Sequence, residues 1–342
     1  MTSRITTRAV TTGPGIIELE SKTSGPLRSG ECLVRVERVG ICGSDMHIFS
    51  GHHPTATFPR VQGHEVSAVI EALPQAYAGP LEPGLRVAID PLLSCGRCYA
   101  CRLGRSNCCP AIQVIGAHVD GFLQEYIAVP VENAYPCPQL TPDEAVLTEP
   151  LSVGLHAVRR AGVSAAEQIV IIGAGPIGLC SAVAAMNAGG RVLMVDTLQP
   201  RLDLASAIGV EQIARSGFDD IDAVVADWTN GEGPPVVIDA VGTPGVIQQC
   251  CKLVAPAGRV VIVGLSDQQV SLPISDFTYK EMTILGSRAS ARLFAESIAL
   301  VERNRAAISR LITHRFPLSE TQAALEFAIA NPRAASKVIV EV

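Results

Sequence analysis

Apolar and polar positions follow two different rhythms along the chain. Through residues 1–152 the signal has a period of two. CLVRVERVG alternates apolar and polar residues as a half-buried strand does, and VSAVIEAL and GLRVAIDP repeat the theme. Proline and glycine interrupt often and helical periodicity is weak, so this region reads as a rolled-up β domain with long loops. Near Leu151 the rhythm changes. SVGLHAVRRAGV has a helical pattern, and short apolar runs follow it: QIVIIG, RVLMVD, VVIDAV and GRVVIVGL, with MTILGSR as a further candidate strand. Helical segments such as PIGLCSAVAAMNAG and PRLDLASAIG separate these runs. Strand, helix, strand in this order predicts a doubly wound parallel sheet. Farther on, helices are expected around LFAESIALVERN and SETQAALEFAIA, and SKVIVEV reads as a strand. That strand has no evident partner in the parallel sheet and is expected to return to the β domain. The predicted division is a β domain over residues 1–152 completed by 289–342, and an α/β domain over 153–288.

Composition narrows the picture. A length of 342 residues suits two domains. Aromatic residues make up only 4%, so the cores must be built from Val, Ile, Leu and Ala, as in buried parallel strands. The net charge of -6 comes without a basic stripe, which argues against a nucleic-acid partner. Ile169 to Met186 carries no charge and approaches the length of a membrane span, but GAGP interrupts it. A strand, a glycine turn and an Ala-rich helix explain it better, and no membrane association is expected. The 11 cysteines are an odd count in a large chain, and MTSRITTRAV is followed by no apolar leader segment. A cytoplasmic protein with metal-bound thiolates is the expectation.

SCGRCYACRLGRSNCC concentrates the cysteines. Cys95, Cys98 and Cys101 are spaced so that a tight loop converges three thiolates on one ion, and Cys108 or Cys109 supplies the fourth. Four sulfurs with no open position describe a structural zinc. The spacing of the first three does not by itself exclude an iron–sulfur cluster.

QIVIIGAGPIG sets Gly173, Gly175 and Gly178 directly after a strand and before a helix, which is the context a dinucleotide-binding loop requires. Gly173 permits the sharp turn, Gly175 lets backbone approach a pyrophosphate, and Gly178 lets helix and strand pack closely. Pro176 suits the first helical turn, whose free N–H groups face phosphate. Asp196 ends the next strand, where an acid accepts hydrogen bonds from a ribose hydroxyl and disfavours a 2′-phosphate, so NAD is expected. Arg201 stands close enough in sequence to contact a phosphate. Ile177 and Val241 are the remaining expected cofactor contacts in this region.

A third constellation lies in the β domain. GICGSDMH supplies Cys42, Ser44, Asp45 and His47; GHE supplies His64 and Glu65; TEPL supplies Glu149. Each residue alone has a bland reading, as a small buried hydrophobe, a core histidine or a helix N-terminal acid. Together they offer sulfur, nitrogen and oxygen donors in the domain that also carries the cysteine cluster.

With these motifs in this order, the chain resembles the zinc-dependent medium-chain dehydrogenases, in the branch of sorbitol and threonine dehydrogenases. The resemblance runs from GICGSD through the four cysteines and GAGPIG to SKVIVEV. It implies a GroES-like β fold for the first domain and a Rossmann fold for the second. It selects Cys109 as the fourth structural ligand and two zinc ions per chain. It implies Cys42 and His64 as ligands of a catalytic zinc, with Glu65 and Glu149 ligating directly or through water. Asp45 then orients His64. Ser44 takes the substrate proton and His47 is the far end of the relay. Zinc as Lewis acid and NAD as hydride acceptor make an alcohol dehydrogenase. A homodimer or homotetramer is implied as well.

FPRVQGHE, GAHVDGF and LITHRF resemble bacterial sugar-acid dehydrogenases acting on L-galactonate or L-gulonate. GAHVDGFLQEY departs from that pattern, which more often has two glycines before Phe122. Arg288, in ILGSRAS, is the expected partner for a substrate carboxylate or the nicotinamide; His118, His52 and Arg60 are weaker candidates. Neutral polyols and threonine are the competing substrates, and a non-catalytic NAD-binding regulator is the remaining alternative. Cys250 and Cys251 fall on a predicted helix as packing residues. Cys32, Cys108, Cys137 and Cys180 receive no role.

Overall fold

A computed structural model describes residues 4–23 and 25–342. The chain divides into two compact units: residues 1–149, 294–305 and 312–342 form the first, and residues 150–293 and 306–311 the second.

The first unit is built on a sheet whose central strand is Glu31–Ile41. Beside it on one side lies the antiparallel strand Glu65–Ala72, followed by Arg86–Ile89 and Ala134–Pro136. On the other side the central strand has two partners in turn. Its first half pairs with Tyr126–Pro130 and its second half with Lys337–Glu341, which in turn pairs in parallel with Ile312–Pro317. The SKVIVEV segment therefore closes the sheet of the β-rich unit. The central strand does not alternate cleanly: Cys32, Leu33 and Val34 are all buried, as are Val39, Gly40 and Ile41. Both of its faces meet core, formed by Val34, Val36, Val66, Ile70, Phe122 and Val338 among others. A three-stranded sheet and a two-stranded one complete the β structure of this unit.

The second unit is a six-stranded parallel sheet. Its order runs Gln212–Arg215, Arg191–Asp196, Gln168–Ile172, Val236–Asp239, Arg259–Ile262, Thr283–Gly286. The chain starts at the middle strand Gln168–Ile172, winds outward one way, then returns to wind outward the other way. The break beside that first strand is the switch point where such sheets bind nucleotides. Val170, Ile172, Leu193, Val195, Val237 and Val260 form the core of this unit, with Cys250 and Cys251 packed among them. The uncharged stretch from Ile169 to Met186 resolves into strand, glycine turn and helix Pro176–Asn187. Among the described residues no helix is long and apolar enough to cross a membrane.

Candidate active site and metal centres

The short helix Gly43–Phe49 starts at Cys42 and presents the first candidate residues. Asp45, the third helical residue, turns its carboxylate back to accept the Cys42 N–H (Oδ2, 2.9 Å). This reciprocal cap fixes a helix too short to persist alone. The other oxygen of Asp45 accepts the Gly63 N–H (Oδ1, 3.1 Å), and the Gln62 side chain donates to the Asp45 carbonyl (2.8 Å). One buried carboxylate thus ties the Cys42 helix to the loop that carries His64.

His64 Nδ1 lies 3.6 Å from Asp45 Oδ2. With Nδ1 turned to the acid, Nε2 is the nitrogen available to a metal. Burial disfavours the imidazolium, but Asp45 and Cys42 outweigh it and hold the His64 pKa well above its ordinary value in the metal-free chain. Burial acts on Asp45 in the opposite sense and is likewise outweighed: His64 and the backbone N–H groups of Cys42 and Gly63 keep its pKa low.

Ligand atoms of Cys42, His64 and Glu65 lie within 4.8 Å of one another. Sulfur, nitrogen and oxygen donors gathered in this way suit a zinc ion that retains room for a further ligand. Glu149, on helix Thr148–Ala161, stands outside this trio, although its surroundings include His64, Glu65, Lys337 and Asp90. Burial pushes its pKa up to about 7; Glu65 and Asp90 add to that rise, while His64 and Lys337 oppose it. Ser44 is half-buried and His47 exposed on the same short helix.

Glu65 has a partner that the sequence did not suggest. Lys337 Nζ donates to both of its oxygens, at 2.6 and 2.7 Å, and to the Ile41 carbonyl at 3.2 Å. The two side chains are only 2% and 0% exposed. The available signal was a lysine opening a strand whose middle, Val338, Ile339 and Val340, is apolar and buried.

Cys95, Cys98, Cys101 and Cys109 form a second cluster, with all four sulfurs within 4.8 Å of one another. A tetrahedral zinc with bonds of about 2.3 Å sets its sulfurs about 3.8 Å apart, so the cluster fits such an ion. Backbone N–H groups of Arg97 and Cys98, with Cys109 nearby, lower the Cys95 pKa to about 6 and so favour thiolate. Cys108 lies outside the cluster and is exposed.

The weaker substrate candidates separate. Arg60 pairs with Asp120 Oδ1 (3.3 Å) and donates to Thr57 Oγ1 (3.2 Å), so it is not a free cation for a substrate carboxylate. Asp120 also accepts from Arg8 (3.2 Å) and from the Val61 N–H (3.2 Å). This explains the departure from a second glycine before Phe122: the aspartate anchors the FPRV segment. The adjacent Gly121 is indispensable, because a Cβ there would lie 2.4 Å from the Gly63 carbonyl oxygen. His118 is half-buried, accepts the Val114 N–H at Nδ1 (3.1 Å) and meets Thr55 Oγ1 at Nε2 (3.2 Å). His52 is exposed. His53, not singled out from the sequence, accepts the N–H groups of Thr55 and Ala56 at Nδ1 (3.3 and 3.1 Å).

The dinucleotide loop occupies the switch point of the second unit. Gly173 has φ of 104°, and Gly175 caps the helix Pro176–Asn187. A Cβ on Gly178 would lie 1.8 Å from the Gly173 carbonyl oxygen, so only glycine permits this approach. Asp196 receives the Ala174 N–H at Oδ2 (2.7 Å) and the Leu198 N–H at Oδ1 (2.8 Å), so it also braces the loop. Arg201 approaches Asp196 at 3.8 Å. Asp239 Oδ1 accepts from Val241 and Gly242 (both 2.9 Å) and holds Val241 beside Gly173. Ile177 is half-buried in the first turn of the helix. Arg288 is exposed beyond the strand Thr283–Gly286.

Comparison with known proteins agrees with this geometry. Residues 28–139 match the alcohol dehydrogenase GroES-like domain, and residues 176–303 match the zinc-binding dehydrogenase domain. The chain is 36% identical to an L-galactonate-5-dehydrogenase of Escherichia coli over 91% of each chain. It is 32% identical to a sorbitol dehydrogenase of Bacillus subtilis, over 95% of this chain and 94% of that one. A crystal structure of an alcohol dehydrogenase, RspB, from E. coli, complexed with NADH, superposes with a TM-score of 0.93 over 99% of each chain at 29% identity.

Two predictions follow from the metal geometry. Cys109→Ser should lower the metal content by one ion per chain, while Cys108→Ser leaves it unchanged; elemental analysis of the purified variants checks both. The raised pKa of His64 means that a metal must displace its proton. Metal uptake at Cys42 and His64 should therefore release protons and weaken as pH falls. Potentiometric titration of the metal-free protein with zinc measures this, and uptake that does not weaken as pH falls contradicts it.

Proposed function

The chain belongs to the zinc-dependent medium-chain alcohol and polyol dehydrogenases, and from this we propose that it oxidises a secondary hydroxyl of a sugar acid of the L-galactonate or L-gulonate type with NAD. The observation that carries the reading of the site is the buried trio Cys42, His64 and Glu65 with Asp45 behind His64. Cys42 and His64 are assigned as catalytic zinc ligands, and Glu65 and Glu149 as carboxylates that ligate directly or through water. Cys95, Cys98, Cys101 and Cys109 hold the structural zinc. When bound, zinc supplies the Lewis acidity that eases loss of the hydroxyl proton, and the nicotinamide supplies the hydride acceptor.

This chain's residues do the rest. Asp45 orients the His64 ring and keeps Nε2 toward the metal. Ser44 takes the substrate proton, and His47, one turn along the same helix and exposed, passes it to water. Gly173, Gly175, Pro176, Ile177 and Gly178 receive the pyrophosphate with Val241 alongside, and Asp196 receives the ribose. The ion pair of Arg201 with Asp196 offsets the arginine's charge and supports NAD over NADP.

The sugar-acid substrate rests on the similarity to the L-galactonate enzyme and on the FPRVQGHE and LITHRF motifs. Arg288 is the proposed partner of its carboxylate, with His118 and His52 as weaker candidates; the Asp120 pairing of Arg60 argues against that residue. The second reading is a neutral polyol, favoured by the similarity to sorbitol dehydrogenase. A cytoplasmic homodimer or homotetramer is part of the proposal.

Cys42→Ser should lower kcat/KM by about a thousandfold or more through the loss of metal charge stabilisation, with the structural zinc retained. Near-normal turnover in a variant that keeps its fold removes the assignment. NAD reduction across a panel of aldonates and neutral polyols should favour the aldonates. Turnover of polyols alone replaces this substrate with the second reading.

A further inference from the structure

Two histidines hold the loop of residues 51–57 that follows the helix Gly43–Phe49, and the direction of their hydrogen bonds is fixed. A neutral imidazole has one acceptor nitrogen and one donor. His118 Nδ1 accepts the Val114 N–H (3.1 Å), so its proton lies on Nε2 and is donated to Thr55 Oγ1 (3.2 Å). His53 Nδ1 accepts the N–H groups of Thr55 and Ala56 (3.3 and 3.1 Å), so its proton also lies on Nε2. Every bond in this set therefore runs outward from a backbone N–H. The Thr55 hydroxyl receives a proton from His118 and has its own to give. Among the described residues nothing takes up that proton or the one on His53 Nε2.

The loop that carries these two donors is braced at both ends. The N–H groups of Gly51 and His52 donate to the Ile48 and His47 carbonyls (2.9 and 2.8 Å). Arg60, itself anchored by Asp120, donates to Thr57 Oγ1 (3.2 Å). His53 is half-buried within electrostatic reach of the metal pocket. Burial lowers its pKa, His118, His47 and His64 add to that, and Asp45 opposes them, so the ring stays neutral.

Two fixed donors select the chemistry of what lies between them. A carboxylate offers acceptors alone and satisfies both. A hydroxyl in the same place accepts them but turns a proton of its own toward groups that cannot receive it, which costs part of the gain.

We propose that His53 Nε2–H and the Thr55 hydroxyl form a donor pair for the carboxylate of the sugar-acid substrate, with His118 as a positioning residue that acts through Thr55. The proposal rests on the sugar-acid reading and does not depend on Arg288.

The test uses the full-length enzyme with metal and NAD bound. It compares an aldonate with the alditol that carries a primary hydroxyl in place of the carboxylate, and the readout is the ratio of the two kcat/KM values. His53→Asn keeps an acceptor where Nδ1 stood, and so keeps the loop, but removes the Nε2–H. Thr55→Val removes the hydroxyl with little change of shape. Each should lower the aldonate preference about tenfold or more, the scale of one hydrogen bond to a charged group, through the KM for aldonate and with the KM for NAD unchanged. Thr55→Ser returns the hydroxyl and should recover most of the preference. His118→Leu should lower the preference in the wild-type background and not further in Thr55→Val, because its effect passes through that hydroxyl. An aldonate preference that survives in His53→Asn or in Thr55→Val overturns the donor pair and leaves the sugar-acid reading standing. Equal losses for aldonate and alditol also overturn it, since they mark a loop that has only lost its shape. Thr55 is exposed, so its Val and Ser variants decide the question if His53→Asn does not fold. A wild-type enzyme that turns over alditols alone overturns the sugar-acid reading, and the donor pair with it.

Discussion

Asp45, Glu65 and Glu149 are among the carboxylates buried in the sheet-built unit, and each must be matched by a cation or a set of donors. An uncompensated buried charge costs several kcal/mol. The local structure of the unit answers this requirement residue by residue. Asp45 is matched by two backbone N–H groups and His64. Glu65 is matched by Lys337 from a strand on the far side of the sheet's central strand. Burial raises the Glu149 pKa to about 7, against the opposing pull of His64 and Lys337. A divalent metal beside Cys42 and His64 would add positive charge among these acids, so the electrostatics of the pocket and its donor chemistry point to the same occupant.

The second unit solves a different problem, the close approach of backbone to backbone. Gly173 and Gly178 bring the turn and the helix together at a distance no side chain tolerates. Asp196 contributes its carboxylate to the loop itself as well as to the site, since both of its oxygens accept backbone N–H groups. The loop is therefore braced from three strands: by its own strand, by Asp196 from the next, and by Val241 after the strand that Asp239 ends. This preorganisation lets the helix N-terminus meet phosphate without rearranging.

Local spacing made part of this legible in the sequence. The four-cysteine loop and the glycine turn are contiguous patterns whose geometry is encoded within a few residues, and the parallel strands announce themselves as uninterrupted Val/Ile runs. The helix Gly43–Phe49 was invisible to periodicity because it is barely two turns long, too short for an apolar period to repeat. Arg60 read as a possible substrate ligand because its partner, Asp120, lies in a distant loop. Lys337 was missed for the same reason at greater range: 272 residues separate it from Glu65, and only the strand register brings them together. Long-range pairing of this kind leaves no periodic trace in a single sequence.

That separation also bears on the order in which the chain can assemble. Cys42, His64 and Glu65 leave the ribosome together, but the strand that neutralises Glu65 and covers the second half of Glu31–Ile41 is synthesised only after the whole parallel-sheet unit. Until then the β-rich unit has an open sheet edge and an unmatched buried acid, the kind of late, non-local closure that slows folding and exposes partly formed intermediates. Residues 1–149 are therefore a region of the sequence but not an autonomous folding unit, and the metal pocket is finished last although most of its ligands are made first.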